Sequence, residues 1–155
     1  MPPTRFELLQ RMPIFGALRD DTLDFLVGLA QPLAVPAQGW FFREGDAADA
    51  LFVLEMGSAT VLKGWDGRPV VLNRLHLGDC FGEMALMDLQ PRSASVRADE
   101  DCRALRLGSD DLYRLYAHDL EQFTLIQMNM GREVSRRLRI ADERLFSITM
   151  RAAAG

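Results

Sequence analysis

The pattern of hydrophobic and polar positions divides this 155-residue chain into three parts. Residues 1–31 show helical spacing, 32–107 consist of short apolar runs separated by turn residues, and 109–150 return to helical spacing. This order predicts a mainly β protein with flanking helices, of the α+β class. We expect residues 1–155 to form a single domain, because no low-complexity segment or linker separates a second one.

The first part is predicted to contain two short helices, over residues 4–12 and about 20–30. Pro13 ends the first helix, because proline lacks an amide hydrogen and its ring clashes with the preceding turn. Ile14 and Phe15 follow this break, and we predict that they form a hydrophobic plug outside any helix or strand.

The central part carries glycine-based turn signals about every ten residues, a spacing typical of a β-sandwich or β-barrel. The predicted strands are residues 33–35, 40–43, 51–55, 59–63, 70–75, 93–98 and 103–107. Short strands at this density fit an antiparallel jelly roll, with helices before it and a long helix after it.

The last part begins with Ser109, the predicted N-cap of a helix that ends near residue 117, since its hydroxyl can accept from a backbone amide. A long helix without internal proline is predicted over 120–149. Gly131 is its weak point, because glycine costs about 1 kcal/mol relative to alanine in a helix. Residues 151–155 are predicted to fray.

Five apolar residues of the long helix follow the 4-3-4-3 spacing of a coiled-coil seam: Val134, Leu138, Ala141, Leu145 and Ile148. We call these five residues the seam. Their strict alternation favours a helix shared between two copies of the chain, and therefore a homodimer. The open alternative is that the same stripe packs on the β core of its own chain.

Charge and termini restrict the partners and the location that we expect. The net charge of −4 does not favour nucleic acid or an anionic membrane. The arginines between residues 132 and 144 alternate with Glu133, Asp142 and Glu143, which indicates a solvated helix face rather than a DNA-binding surface. No secretion signal and no apolar run of roughly 18 residues is present, so we expect a cytoplasmic protein without a membrane segment.

The residues that commonly carry catalysis are sparse. The two histidines, His76 and His118, lie far apart, and the two cysteines, Cys80 and Cys102, do not have the spacing of metal ligands. Neither a nucleophile elbow nor a P-loop occurs. We therefore predict no catalytic residues, no metal and no cofactor, and two reduced thiols.

The strongest chemical signal is the stretch 78–86, followed six residues later by Arg92. Glycines allow backbone amides to approach a ligand closely, and a run of such amides forms an anion-binding concavity. The guanidinium of arginine adds a charged fork that suits phosphate. This pattern predicts a phosphate-bearing ligand between residues 82–86 and Arg92. The alternative is a structural ion pair between Glu83 and Arg92 across an empty pocket.

Residues 78–86 (GDCFGEMAL) and 91–96 (PRSASV) resemble the phosphate-binding cassette of cyclic-nucleotide-binding domains. Ile14-Phe15, the segment 42–54 and Arg136-Arg137-Leu138 are also similar to that family, so the resemblance covers about residues 5–148, with the cassette at 78–96. The chain is similar to the sensor domain of bacterial cAMP receptor proteins, without the DNA-binding domain that follows it there.

The resemblance implies roles for the cassette residues toward a 3′,5′-cyclic nucleotide. It assigns Arg92 to the cyclic phosphate and Glu83 to the ribose 2′-hydroxyl. Gly82 would let the main chain approach the sugar. Ser93 would reach the phosphate or the purine, or is a plain strand residue.

The same resemblance implies that backbone amides at about Met84, Ala85 and Leu86 donate to the phosphate. These amides belong to the short helical turn of the cassette.

Base recognition is expected from the long helix, which covers the purine in similar domains. Ala141 and Asp142 stand where the bacterial regulators have a pair of hydroxyls, which is a departure from the family. Asp142 can accept from the adenine amino group or from the paired N–H donors of guanine, so cAMP is favoured but cGMP stays open. Arg137 either bridges toward Glu83 or is a solvated arginine.

We therefore predict a stand-alone sensor of cAMP or cGMP that repositions its C-terminal helix on binding. The movement would be presented to an unknown protein partner, without DNA or membrane binding. One alternative is an interaction or scaffold module whose nucleotide pocket is vestigial. Another is a jelly-roll enzyme acting on a small molecule.

Overall fold

The computed structural model describes residues 1–155 except for the side chain of Ala85. Helix α1 covers Arg5–Gln10 and α2 covers Asp20–Leu29, with a short 3-10 helix at Pro13–Phe15 between them. The eight strands are β1 Gln31–Val35, β2 Trp40–Phe42, β3 Ala50–Met56, β4 Ala59–Trp65, β5 Arg68–Leu75, β6 Cys80–Phe81, β7 Ser95–Ala98 and β8 Cys102–Gly108. The remaining helices are α3 Met84–Asp88, α4 Ser109–His118 and α5 Leu120–Ala154.

The strands form two four-stranded antiparallel sheets with the orders β1-β8-β3-β6 and β2-β7-β4-β5. Consecutive strands alternate between the sheets, as in a jelly roll, except that β4 and β5 form a hairpin within the second sheet. The prediction of a mainly β fold with flanking helices is confirmed. Each predicted strand overlaps an observed one, because glycine turns and short apolar runs are local signals.

Strand β3 packs against a hydrophobic cluster on each of its two faces. Leu51 and Val53 point into the cluster formed with the helices, whereas Phe52 and Leu54 belong to the cluster between the two sheets. Side chains alternate between faces along a strand, so the continuous apolar run at residues 50–54 is buried on both sides.

The first turns of α5 are anchored to the body of the protein. Ile126 and Met130 are buried in the helical cluster, and the side-chain amide of Asn129 donates to the carbonyl oxygens of Ile14 and Gly16. After Glu133, every residue of α5 except Ile140 is exposed. The second half of this 35-residue helix is therefore free to contact a ligand or a partner.

The seam is exposed in the single chain. The exposed fractions of Val134, Leu138, Leu145 and Ile148 are 45%, 59%, 64% and 63%. The stripe is thus not buried against the β core, although Ala141, Leu145 and Ile148 line a cavity that sheet residues also line. The homodimer stays a prediction.

The prediction for the start of α4 was wrong by one residue. Gly108 is the N-cap, and Ser109 is the first helical residue. The carboxylate of Asp111, at the third helical position, accepts from the amide of the N-cap Gly108 at 2.8 Å, which is the reciprocal half of a capping box.

Two other local predictions were also wrong. The segment at Ile14 and Phe15 is part of the 3-10 helix, although both side chains are buried as expected for a plug. Helix α5 runs to Ala154 and passes Gly131 without interruption, so the tail is helical. Among the described residues, no helix combines the length and the apolar character needed to cross a bilayer.

Candidate functional site

A cavity of about 870 Å³ lies between the second sheet, the cassette and α5. Phe42, Val61, Asn73 and Leu75 line it from the sheet. The cassette contributes Gly82, Glu83, Met84, Arg92 and Ser93. Helix α5 closes the third side with residues of its exposed second half. The structure thus brings most of the predicted site residues to one cavity.

Arg92 is a buried cation held without a carboxylate. Its side chain is 6% exposed, Nη1 donates to the carbonyl of Gly82 at 2.8 Å, and Nη2 donates to that of Ala50 at 2.7 Å. The guanidinium also lies over the ring of Phe42, 4.0 Å from its centroid. Within the described part of the chain, Arg92 forms no ion pair and its buried Nε has no hydrogen-bond partner.

Burial lowers the pKa of Arg92 from its ordinary value, although its guanidinium remains charged. Removing a cation from water is costly unless an anion or further hydrogen bonds compensate it. The two carbonyl contacts compensate Arg92 only in part. The site is therefore prepared for an anion, and the predicted alternative of a Glu83–Arg92 ion pair is not observed.

Gly82 has a backbone conformation that glycine adopts readily and other residues avoid, with φ at +80°. A Cβ atom at this position would lie 2.7 Å from Nη1 of Arg92 and 3.2 Å from the carbonyl oxygen of Ala50. The glycine thus leaves the space in which the guanidinium of Arg92 is held.

Glu83 is buried and forms an ion pair with Arg137 of α5. Arg137 also donates to the buried Glu133 at 3.2 Å, so its guanidinium lies between two carboxylates. Burial by itself would lower the pKa of Arg137, but the charges of Glu83 and Glu133 raise it above its ordinary value. The predicted bridge from Arg137 to Glu83 is present and joins the cassette to α5.

Glu133 was not predicted as part of this arrangement. It accepts from Arg136 at 2.6 Å and from Arg137, and the Arg136 hydrogen bond is the main reason that the pKa of Glu133 is lowered. The sequence could have indicated this contact, because Glu133 lies three residues before Arg136 and four before Arg137 on a helix.

The thiol of Cys80 also belongs to the cavity wall. Its Sγ lies 3.9 Å from Oε2 of Glu83, and burial together with the negative charge of Glu83 raises the pKa of Cys80 well above its ordinary value. The protonated thiol is a poor nucleophile. In the part of the chain that the structure describes, no three His, Cys, Asp or Glu side chains form a group that could hold a metal ion.

The three backbone amides predicted to face the phosphate differ in their positions. Met84 is exposed and lines the cavity. The amide of Leu86 donates to the carbonyl of Glu83 at 3.1 Å, and its side chain packs against the helical core. The amide of Leu86 is therefore already used within the turn. The side chain of Ala85 lies outside the described residues, so its role stays a prediction.

The two residues predicted near the base are placed differently. Ser93 is exposed and lines the cavity. Asp142 is also exposed, but it does not line the cavity; the neighbouring Ala141 does. The structure therefore does not bring Asp142 to the cavity of its own chain, because one residue on a helix changes the direction of a side chain by about 100°.

Several lining residues were missed by sequence reasoning. Arg136, Ile140 and Arg144 line the cavity from α5, and their spacing of four residues could have identified them as one face. Asn73 lines it from β5, near the bulge between Val61 and Leu62 that changes the pairing of β4 with β5. No sequence signal marked that irregularity.

The arrangement can bind an anion next to a group with hydroxyls. Arg92 supplies the cationic fork, and Glu83 supplies a carboxylate near it. Apolar side chains of the sheet and of α5 offer surfaces for a flat ring. This combination of a largely apolar cavity with a few fixed charges is typical of a small-molecule site.

Comparison with known families identifies one match over most of the site. The sequence model of the cyclic nucleotide-binding domain matches residues 32–119, which include the entire cassette. This range contains the predicted phosphate and ribose residues but not the exposed half of α5.

Individual relatives agree with this match. The chain is 34% identical to a "cAMP-dependent protein kinase regulatory subunit" of Emericella nidulans over 69% of its length, and 31% identical to the "Cyclic AMP receptor protein" of Thermus thermophilus over 84%. It spans 26% and 59% of these two proteins, respectively. The solved N-terminal domain of a Streptomyces coelicolor transcriptional regulator superposes with a TM-score of 0.77 at 29% identity, covering 88% of this chain and 93% of that one.

Proposed function

This chain belongs to the cyclic nucleotide-binding domain family, and we propose that it is a sensor that binds a 3′,5′-cyclic nucleotide in the cavity between the cassette and α5. The names of two relatives, a cAMP-dependent kinase regulatory subunit and a cyclic AMP receptor protein, support cAMP as a ligand. Both are regulatory proteins, and we propose no catalytic role for this chain. A single domain, a cytoplasmic location and the absence of DNA binding stay predictions.

The observation that carries the proposal is the buried guanidinium of Arg92. It has a free Nε among the described contacts, lines the cavity and lacks a carboxylate partner. Two nitrogens of Arg92 already donate to carbonyl groups, which carry no net charge. A cyclic phosphate has one negative charge and accessible oxygens, so it would balance the single positive charge of this arginine. We propose that the phosphate binds at Arg92, with the amides near Met84 and Ala85 as further donors.

The ribose would bind beside Glu83. Its carboxylate can accept a hydrogen bond from the 2′-hydroxyl, which nucleotides lacking that hydroxyl cannot offer. Gly82 and Ser93 line the same cavity, and a close approach of the sugar to the main chain at Gly82 stays a prediction. Glu83 already contacts Arg137, so ribose and helix would share one carboxylate.

This shared carboxylate supports a route from the ligand to α5. A nucleotide that contacts Glu83 changes the surroundings of Arg137, the helical residue paired with it. Ligand binding can shift the helix only if it binds one helix position more tightly than another. We propose that the helix moves on this basis and presents the change to a second copy of the chain and to a further protein partner.

Calorimetric titration of cAMP and of cGMP into nucleotide-free protein tests the binding proposal. We expect binding at micromolar concentration or tighter, because the cyclic phosphate neutralises Arg92. The control is 5′-AMP, whose phosphate is not cyclic and carries more charge; we expect it to bind at least about tenfold more weakly, since a misplaced charge on a hydrogen-bonded site costs more than 1 kcal/mol.

An absence of heat and of competition with either cyclic nucleotide would contradict the sensor proposal. It would support the second candidate, an interaction module whose pocket is vestigial. The observation that favours this candidate is the Glu83–Arg137 pair, which satisfies the predicted ribose acceptor without any ligand.

The proposed dimer predicts the behaviour of Leu138→Asp. Leu138 is exposed in the single chain and would be buried in the proposed dimer. A carboxylate at this position would lose its water on dimerisation without gaining a partner, so we expect the variant to be monomeric. Sedimentation equilibrium measures the mass. Met150→Asp is the matched control, since Met150 is an exposed apolar residue of the same helix outside the seam and its variant should stay dimeric. A monomeric wild type, or a dimeric Leu138→Asp variant, would refute the seam.

A further inference from the structure

The part of the cavity that is lined by α5 residues after Arg137 is mostly apolar. Ile140, Ala141, Leu145 and Ile148 line it with apolar side chains, and Arg144 is the one charged residue that α5 places there. Arg144 follows Arg137 by seven residues, so the two lie on the same face of α5, about 10 Å apart along its axis. Side chains on a helix lean toward its N-terminus, which directs Arg144 toward the proposed ribose site.

Arg144 differs from the other arginines of this helix face in its partners. Arg136 and Arg137 both bind Glu133, and Arg137 also binds Glu83. For Arg144, the described residues supply neither an ion pair nor a hydrogen bond. Its planar fork of donors is thus available to a ligand, at the end where the base would lie if the phosphate binds at Arg92 and the ribose at Glu83.

The two purines present different edges to such a fork. Guanine offers two neighbouring acceptors, N7 and O6, which arginine contacts with two parallel hydrogen bonds. Adenine offers N7 beside an amino group, and an amino group is a donor that cannot pair with a guanidinium. A guanidinium at the base end therefore discriminates in favour of guanine.

An adenine amino group would need an acceptor, which a guanidinium cannot supply. Three acceptors that line the cavity already have a partner: Glu83 pairs with Arg137, Oδ1 of Asn73 accepts from the amide of Arg74 at 2.8 Å, and Oδ1 of Asp88 accepts from the amide of Gln90 at 3.0 Å. The hydroxyl of Ser93 and the side chain of Gln90 also line the cavity, so the preference for guanine depends on the donor fork of Arg144 and not on a lack of acceptors. Asp142, the acceptor expected from the sequence, does not line the cavity.

From these contacts we infer that Arg144 is the residue that selects the base, so that cGMP binds more tightly than cAMP. The inference rests on the proposed function, because it assigns the base end of the same site. It replaces the preference for cAMP that the resemblance implied.

The test is calorimetric titration with cGMP, cAMP and the inosine nucleotide cIMP, which keeps N7 and O6 but lacks the 2-amino group of guanine. We expect cGMP and cIMP to bind about tenfold or more tightly than cAMP, the effect of one bidentate contact. Arg144→Ala should remove that advantage and change the affinity for cAMP less than about twofold. Arg144→Lys should also remove it, because lysine keeps the charge but not the fork.

Arg139→Ala is the matched control, since Arg139 is an exposed arginine of the same helix that does not line this cavity. It should leave all three affinities unchanged. Arg144 is exposed, and thermal unfolding followed by circular dichroism checks that each variant is folded.

The outcomes separate this inference from the proposed function. Equal affinities for cGMP and cAMP, or an equal loss of both in Arg144→Ala, would overturn the role of Arg144 and leave cyclic-nucleotide binding intact. Binding of neither nucleotide by the wild-type chain would overturn both.

Discussion

Replacing Arg92 by alanine is expected to weaken the binding of cAMP and of cGMP at least about a hundredfold, because truncating one partner of a buried charge pair costs roughly 2–5 kcal/mol. Arg92 is the buried cation at the cavity, and its Nε is unpaired among the described residues. The phosphate would then enter a low-dielectric site without a counter-charge. Calorimetric titration of both nucleotides measures the loss.

Arg92→Lys separates charge from geometry at the same position. Lysine retains the positive charge but has a single nitrogen, which cannot bind the carbonyls of Gly82 and Ala50 and the phosphate in one plane. We expect its affinity to lie between those of the wild type and Arg92→Ala. Urea unfolding of both variants should remain cooperative, since the loss concerns the ligand. Wild-type affinity in a folded Arg92→Ala protein would refute the phosphate site.

Replacing Gly82 by alanine is expected to weaken nucleotide binding about tenfold or more, the value of a hydrogen bond to a charged group. The added Cβ would lie 2.7 Å from Nη1 of Arg92 and 3.2 Å from the carbonyl of Ala50. A side-chain end moves more easily than a backbone carbonyl, so the guanidinium of Arg92 should shift and lose its bond to Gly82. Titration with cAMP and cGMP measures the result.

Gly67→Ala is the matched control for backbone strain. Gly67 also has a positive φ, +72°, but a Cβ there would meet no atom within 4 Å. Both variants should lose about 1–2 kcal/mol of unfolding free energy through the left-handed backbone. Only Gly82→Ala should lose affinity. Equal affinities in the two variants would show that Gly82 does not position Arg92.

The secondary structure was largely predictable because its signals are local. Helix α2 and the seven predicted strands follow from apolar spacing and glycine turns. Strand β6, Cys80–Phe81, was missed because two residues cannot show a period. It exists through its pairing with β3, where Phe81 lies opposite Phe52. Pairing between distant segments leaves no mark in the sequence of either one.

The cassette was recognisable for a related reason. Gly82, Glu83 and Arg92 lie within eleven positions, 82–92, and their residue types indicate an anion site before any fold is known. Their positions in the sequence did not indicate how Arg92 is held. In the structure it donates to two carbonyl groups and does not pair with Glu83. That arrangement depends on Ala50, a residue of β3 that reaches the cassette only in the folded sheet.

By itself, the sequence predicted the jelly-roll class from short-range spacing, and its resemblance to a known family identified the segment of the cassette. Tertiary structure alone decided how α5 meets the cavity. The anchoring of its first turns through Asn129 and Ile126 sets the rotation of the helix about its axis. That rotation directs Arg137 to Glu83 and Arg144 to the cavity, and leaves Asp142 outside it. A helix presents every side in turn, and only packing against another element decides which side faces a ligand.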